Sequence, residues 1–204
     1  MQVVMTIFWT ALGYVIGSIP WSLIIGKIFF KKDIREFGSG NLGGTNAGRV
    51  LGKHIGLLVI ILDALKSFLW MTLVNAVTPA AVPLAGFAVC IGHCFPVFAN
   101  FKGGKAVASS FGWLLAIGCY VTKDPVFSFV YPFLVFMLVL SLSKMVSLAS
   151  MVSMIAATVI GFLTFGSTLC SVLLLLLTIL VIVRHIPNIR RIIQKKESKV
   201  SWIA

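Results

Sequence analysis

Three polar segments of this 204-residue chain carry side chains whose types and spacing could do chemistry. The first is Gly38-Ser39-Gly40-Asn41-Leu42-Gly43-Gly44-Thr45-Asn46-Ala47-Gly48-Arg49. Glycines permit backbone angles in which successive N–H groups converge on one concavity, and such nests bind anionic oxygens. Ser39, Asn41, Thr45 and Asn46 add neutral hydrogen-bonding groups, and Arg49 adds a planar fork of donors suited to phosphate. The second segment runs from Gly92-His93-Cys94-Phe95-Pro96 through Phe101-Lys102-Gly103-Gly104-Lys105 to Ala108. Its glycine-lysine turn stands directly before an apolar helix, so a nest, two ammonium groups and a helix N-terminus coincide, and a helix N-terminus favours phosphate. The third is Arg184-His185-Ile186-Pro187-Asn188-Ile189-Arg190-Arg191, reaching on to Glu197. His185 and Asn188, three apart, share a helix face if Pro187 starts a new turn. Each segment also has a plainer reading: a flexible connection, a pair of snorkelling anchors, and a basic tail on anionic lipid. The density of Asn, Thr and Gly in the first argues against a mere linker. The lipid reading suits Lys195, Lys196 and Lys199.

Several chemistries are excluded. Gly38-x-Gly40-x-x-Gly43 matches a dinucleotide fingerprint, but no strand precedes it and no βαβ unit surrounds it. The lysine turn is not a Walker A loop, since position 99 is Ala and Ala106 follows the lysine. No His is followed five positions later by Asp; Val59, Phe98 and Arg190 stand there instead. No G-x-S-x-G elbow surrounds any serine, which argues against a hydrolase-type acyl-enzyme. His93 with Cys90 and Cys94 lacks further ligands for a metal, and core packing is the preferred role. What remains is a set of phosphate binders poor in obvious general bases.

The elements that position these segments are apolar helices. Hydrophobic residues make up 59% of the chain and charged residues 11%, against roughly 25% charged in soluble domains, so the expected class is an all-α integral membrane protein. Apolar runs predict seven transmembrane helices at about 3–28, 55–77, 80–98, 106–122, 126–142, 145–165 and 168–184. The net charge of +12 resolves by side. Lys27, Lys31, Lys32, Arg35, Arg49, Lys53, Lys102, Lys105, Lys144 and six residues after the last span fall on one face. Cytoplasmic loops collect Lys and Arg, so the N-terminus is expected outside and the C-terminus in the cytoplasm, with all three polar segments on the cytoplasmic side. Gly13-x-x-x-Gly17 predicts a helix-packing face. Asp63 and Lys66 lie within span two at i, i+3 and can pair, either as a functional group or only to neutralise each other. The four cysteines form no CxxC and are expected as free thiols.

Together, GSGNxGxTNxxR (38–49), GHxFPVFxxFKGGKxVA (92–108) and RHxxNIxR…E (184–197), supported by Asp63-x-x-Lys66, resemble the acyl-phosphate-dependent glycerol-3-phosphate acyltransferases of bacteria. The chain departs from that pattern at Gly44 (usually Ala), Ser67 (often Gly), Ser109 (usually Thr) and Lys195 (usually Gly). The resemblance implies one integral membrane acyltransferase domain over 1–204, in the bacterial cytoplasmic (inner) membrane. It implies transfer of a fatty acyl group from acyl phosphate to the sn-1 hydroxyl of glycerol 3-phosphate, giving lysophosphatidic acid and phosphate, an early step of phospholipid biosynthesis. By matched position Ser39, Arg49, Lys105, His185 and Asn188 are the catalytic candidates, and Glu197 is structural. Gly40, Asn41, Thr45, Asn46, Lys66, Lys102, Gly103, Gly104 and Arg184 are the candidate substrate-binding residues, with Asp63 structural. Implied partners are acyl phosphate, glycerol 3-phosphate, membrane phospholipid and a functional link to the enzyme supplying acyl phosphate; neither nucleic acid nor any metal or organic cofactor is called for. Acyl phosphate is already activated, so direct attack by the glycerol hydroxyl needs no acyl-enzyme. Either the substrate's phosphate or His185 then takes the proton. A carrier for phosphorylated metabolites, or an acyltransferase using acyl-CoA or acyl carrier protein, are the rival readings.

Overall fold

Within hydrocarbon every backbone N–H and C=O must be satisfied inside its own segment, so apolar runs of this length fold as helices. The computed structural model describes residues 1–200, all helix and turn; the last four residues of the domain expected over 1–204 lie outside the described residues. All seven predicted segments are helical. Five stretches are long and apolar enough to cross a membrane: Gln2–Phe30, Lys53–Val77, Pro79–Ala99, Val126–Ser143 and Val146–Thr164. Thr168–Arg184 with Ile186–Ile193 is a sixth candidate bent by 56°, and Val107–Thr122 is apolar but shorter. The chain is therefore a multi-pass membrane protein. Its helices fall into two compact units, Met1–Ala116 and Ile117 onward.

The first unit holds α1 (Gln2–Gly17), α2 (Trp21–Phe30), α3 (Gly44–Leu51), α4 (Lys53–Val77), α5 (Val82–Cys94) and α6 (Val107–Ala116). The expected single helix over 3–28 is interrupted at Ser18-Ile19-Pro20, because proline has no N–H to continue the ladder. Gly13 and Gly17 let α1 lie directly on the Ala85 and Val89 backbone of α5, the packing face predicted from their spacing. The first polar segment is a turn only in its first half. Gly38 and Gly40 take φ of 62° and 67°, after which Gly44 to Leu51 is helical. Gly44 and Gly48 of α3 meet Gly56 of α4 backbone to backbone, so these glycines permit a helix crossing and do not form a nest.

The second unit holds α7 (Tyr131–Ser143), α8 (Val146–Thr164), α9 (Thr168–Arg184) and α10 (Ile186–Ile193). Buried hydroxyls join α8 to α9: Thr158 and Thr178 lie 2.7 Å apart, and Ser171 donates to the Gly161 carbonyl. Such hydrogen bonds hold helices together where the surroundings supply no hydrophobic drive. The chain after α10 turns back, and the Val200 N–H donates to the Lys144 carbonyl at 2.8 Å.

Candidate functional site

In the first unit the turn before α3 is braced from below by Asn46. Its buried amide oxygen accepts the Ser39 N–H at 2.8 Å, and its NH2 donates to the Ile34 and Phe37 carbonyls. Asn46 thus shapes the turn through both ends of its amide. The brace leaves the Ser39 side chain exposed and sets Thr45 and Arg49, four apart, on one face of α3. Arg49 is exposed and, among the described residues, pairs with no carboxylate. The Asn41 side-chain oxygen has no hydrogen-bond partner. Arg35 is taken up by Asp33, with bonds of 2.9 and 2.6 Å, and Lys27 adds to the pair. The hydrogen bonds from Arg35, outweighing partial desolvation, hold the Asp33 carboxyl well below the usual carboxylate range.

The second polar segment meets the first across a cavity of about 360 Å³ lined by Asp33, Arg35, Glu36, Gly40, Asn100 and Lys102. Lys102 is exposed there, and Lys105 is half-buried. The expected nest at Gly103-Gly104 is corrected: both glycines are buried, and their N–H groups donate to the Cys94 and His93 carbonyls at 3.2 and 2.9 Å. These glycines let the turn press against the end of α5.

Lys66, predicted to bind substrate, is likewise buried and encircled by protein acceptors. Its Nζ lies 2.9 Å from Asp63 Oδ1, confirming the i, i+3 pair. It also donates to the Gly17 and Ile19 carbonyls at 3.1 and 3.2 Å, where the α1–α2 break frees them. Its fourth neighbour is His93 Nδ1 at 3.0 Å, itself 3.3 Å from Asp63 Oδ1. The Gly17 and Ile19 carbonyls and the Asp63 carboxylate match the three protons of Lys66 whichever role His93 Nδ1 takes. His93 packs in the core as expected, and the cluster gives it polar partners that its own sequence context did not signal. The available signal was the buried Asp63–Lys66 pair itself, which leaves carboxylate lone pairs needing another donor.

In the second unit His185 ends α9 and begins α10, with Pro187 in the first turn of the new helix. Its carbonyl accepts the Asn188 and Ile189 N–H groups, so the bend places both buried side chains together. His185 Nδ1 lies 2.7 Å from the Val181 carbonyl. A carbonyl only accepts, so Nδ1 carries the hydrogen. Arg184, half-buried, is the last residue of α9. Glu197 collects three donors: Ser147 Oγ at 2.7 Å, Asn188 Nδ2 at 2.6 Å and Arg191 Nε at 2.8 Å. Burial alone would raise its carboxyl, but these three hydrogen bonds outweigh burial and hold it below its ordinary value. Lys195, where the resembling family has glycine, takes the glycine-like φ of 56°. Its N–H and that of Lys196 bond back to Ile192 and Arg191, closing α10 in a left-handed cap.

Comparison with known proteins adds to this geometry. A family model described as glycerol-3-phosphate acyltransferase matches residues 7–195. A protein of that name from Enterococcus faecalis is 45% identical over 93% of this chain and 89% of its own length. One from Listeria monocytogenes is 47% identical, covering 94% and 95%, and one from Staphylococcus aureus is 40% identical, covering 98% and 100%. Among solved structures, the glycerol 3-phosphate form of PlsY (YgiH), an integral membrane glycerol 3-phosphate acyltransferase, superposes with a TM-score of 0.87 at 33% identity over 96% of both chains. Its lysophosphatidic acid form gives 0.83 at 32% identity, over 96% of this chain and 95% of that one.

Proposed function

This chain belongs to the glycerol-3-phosphate acyltransferase family and is an acyltransferase, and from that premise we propose that it transfers a fatty acyl group from acyl phosphate to the sn-1 hydroxyl of glycerol 3-phosphate. The observation that carries the reading is the sorting of its cations. Arg35, Lys66 and Arg191 are matched to Asp33, Asp63 and Glu197, whereas among the described residues Arg49, beside Thr45 on α3, and Lys102, beside Asn100, form no salt bridge with a carboxylate. Both substrates are phosphates, and uncommitted cations are what hold two anions close against their repulsion. Arg49 offers a bidentate grip, Lys102 and Lys105 point charges, and Ser39, Asn41 and Thr45 neutral hydrogen bonds.

The reaction is direct. The glycerol O1 attacks the acyl carbonyl carbon, the bond from that carbon to the bridging phosphate oxygen breaks, and inorganic phosphate leaves with the electron pair. Proximity supplies most of the rate, and the hydroxyl proton passes to a phosphate oxygen of the donor. A second path has its own support: the Nδ1–Val181 hydrogen bond fixes the orientation of the His185 ring at the α9–α10 bend, suiting the imidazole to proton transfer. His185→Gln separates the two. Near-full turnover at saturating substrates leaves the substrate phosphate as base, and loss of the acidic limb of the pH–rate profile identifies His185. Asn188 and Arg184 orient phosphate or acyl oxygens, and Glu197 and Asp63 position cations.

The same reading places seven spans in the bacterial inner membrane, with the N-terminus outside and the site at the cytoplasmic face. It takes the shorter apolar helix Val107–Thr122 and the bent pair at α9–α10 as spans beside the five long ones. It also implies a working link to the enzyme that makes acyl phosphate. The deciding experiment incubates purified protein with labelled glycerol 3-phosphate and acyl phosphate, acyl-CoA or acyl carrier protein in turn. Labelled lysophosphatidic acid is expected from acyl phosphate alone; product from a thioester donor, or none from any donor, refutes the proposal.

A further inference from the structure

The Asp63–Lys66–His93 cluster touches no substrate in the reaction above, yet it touches the segment that does. Lys66 gathers the carbonyls of the α1–α2 break, the Asp63 carboxylate and the His93 ring at one ammonium. Asp63, Lys66 and His93 are 2, 7 and 7% exposed, and a buried pair of this kind persists only where its remaining lone pairs and protons are matched. Nδ1 of His93 is engaged whichever tautomer it adopts: it accepts from Lys66 or donates to Asp63. The ring is therefore held in one orientation.

Gly104 rests on the other side of that ring. A Cβ added to Gly104 would come within 2.8 Å of His93 Cδ2 and 2.9 Å of Cε1, closer than real side chains approach. The Gly104 N–H donates to the His93 carbonyl, so the same residue grips the turn through its backbone and supports it through its ring. One residue beyond Lys105, the buried Ala106 takes a φ of 58°, and its carbonyl accepts the Ser110 N–H at the start of α6. Lys105 thus projects from a backbone fixed on both sides.

We propose that His93 is a positioning residue for Lys105, its ring locked by Asp63 and Lys66 so that the Gly103-Gly104-Lys105 turn is held at one height and angle. The inference rests on the reaction proposed above, in which Lys105 binds a substrate phosphate. Misplacing a phosphate-binding group by about 1 Å costs on the order of 100-fold in rate, so the effect is measurable.

The test combines kinetics with hydrogen exchange on the purified full chain in detergent. His93→Ala should lower kcat/KM about 100-fold, raising the same KM that Lys105→Ala raises. The double variant should be little worse than Lys105→Ala, because a residue acting through another does not add to it. His93→Asn, which can occupy the Nδ1 position, should recover most of the loss with an unchanged pH–rate profile. Gly104→Ala pushes on the ring from the opposite side and should reproduce the KM defect. Without any substrate, the Gly103 and Gly104 amides should exchange at least about tenfold faster in His93→Ala, since their carbonyl acceptors lose support. Wild-type kinetics in His93→Ala or Gly104→Ala, multiplicative losses in the double variant, or unchanged exchange would each overturn the proposal. If the wild type makes no lysophosphatidic acid but the amides still speed up, the reaction fails and the positioning role stands. If His93→Ala does not fold, His93→Asn and Gly104→Ala carry the same comparisons.

Discussion

Glu197→Gln tests how the carboxyl-terminal segment organises Asn188. The carboxylate is acceptor-only, with Oε1 taking Ser147 and Asn188 and Oε2 taking Arg191, and its side chain is 4% exposed. A glutamine keeps the shape and volume but turns one acceptor into a donor. With its oxygen toward Ser147 and Asn188, the new NH2 faces the Arg191 Nε–H and that bond is lost. Arg191 is 39% exposed and rehydrates, so after discounting for solvent this costs ~0.5–1 kcal/mol. With the amide reversed, the Ser147 hydroxyl can rotate but the buried Asn188 NH2 meets a donor, at ~1–3 kcal/mol. The cheaper orientation sets the expectation at ~1 kcal/mol, or roughly 2–4 °C in melting temperature for a chain of this size. Glu197→Ala removes both acceptor oxygens and with them all three hydrogen bonds, including that of the Asn188 NH2, so about 3–4 kcal/mol is expected. Differential scanning fluorimetry in detergent reads stability, and initial rates with acyl phosphate and glycerol 3-phosphate read function. Activity should fall further than stability in Glu197→Ala, because the Asn188 amide loses its anchor. Glu197→Ala/Asn188→Ala should then be no slower than Asn188→Ala alone. A Glu197→Ala protein that melts and turns over like wild type would refute this reasoning.

Three further outcomes follow from the same geometry. Arg49→Lys should raise the KM of a phosphate substrate about tenfold, a loss of ~1.4 kcal/mol of binding, since lysine cannot grip two oxygens at once. Its melting temperature should not move, because Arg49 is exposed and, among the described residues, pairs with no carboxylate; a matching loss of stability would show a structural role instead. Gly56→Ala should fail to give monodisperse folded protein, because the new methyl meets backbone at Gly44 O and Gly48 N, both 2.8 Å away, and backbone cannot rotate aside. Gly166→Ala is its control, with open space but a φ of 60°, and should cost only ~1–2 kcal/mol. Thermal stability against pH should be flat near neutrality and fall below about pH 4.5. Asp33 and Glu197 have depressed carboxyls in the fold, so their stabilisation is complete above the ordinary carboxylate range and is lost as protons bind native carboxylates. Glu197→Gln should flatten that fall, and an unchanged acid limb in Glu197→Gln would remove Glu197 from the account.

What the sequence disclosed depended on the range of the interaction. Helix positions follow from local apolar runs, and the Asp63–Lys66 pair and the Gly13–Gly17 face follow from helical spacing, so both were legible from neighbours in the chain. The third member of the buried cluster, His93, lies 27 residues from Lys66 and joins it only through packing of α4 with α5. The Ser147 partner of Glu197 lies 50 residues away, with no local signal in either segment. Glycine misled in a different manner. One composition serves anion nests, positive-φ turns and close backbone crossings alike. Only the fold separates Gly38 and Gly40, which turn the chain, from Gly44 and Gly48, which admit α4, and from Gly103 and Gly104, which admit His93.

The charge balance then acquires a mechanical meaning. Five acidic residues face seventeen basic ones, and three of the five hold a cation in place: Asp33 holds Arg35, Asp63 holds Lys66, and Glu197 holds Arg191. A fourth, Asp124, accepts the Val126 and Phe127 N–H groups and caps a turn. Four of the five carboxylates are thus committed to a cation or a turn, and among the described residues none forms a salt bridge with Arg49 or Lys102, although Asp33 and the exposed Glu36 line the same cavity as Lys102. In the proposed reaction, where both substrates are phosphates, this scarcity favours binding, because a mobile carboxylate near Arg49 would compete with substrate for it. Introducing one opposite Arg49, as Thr45→Glu at i−4 on the same face of α3, should therefore raise the phosphate-substrate KM while stabilising the helix by ~0.3–0.5 kcal/mol. Opposite signs on affinity and stability are the signature of a cation kept unpaired for its ligand. A variant that gained stability with no change in KM would show that Arg49 has no anion to lose.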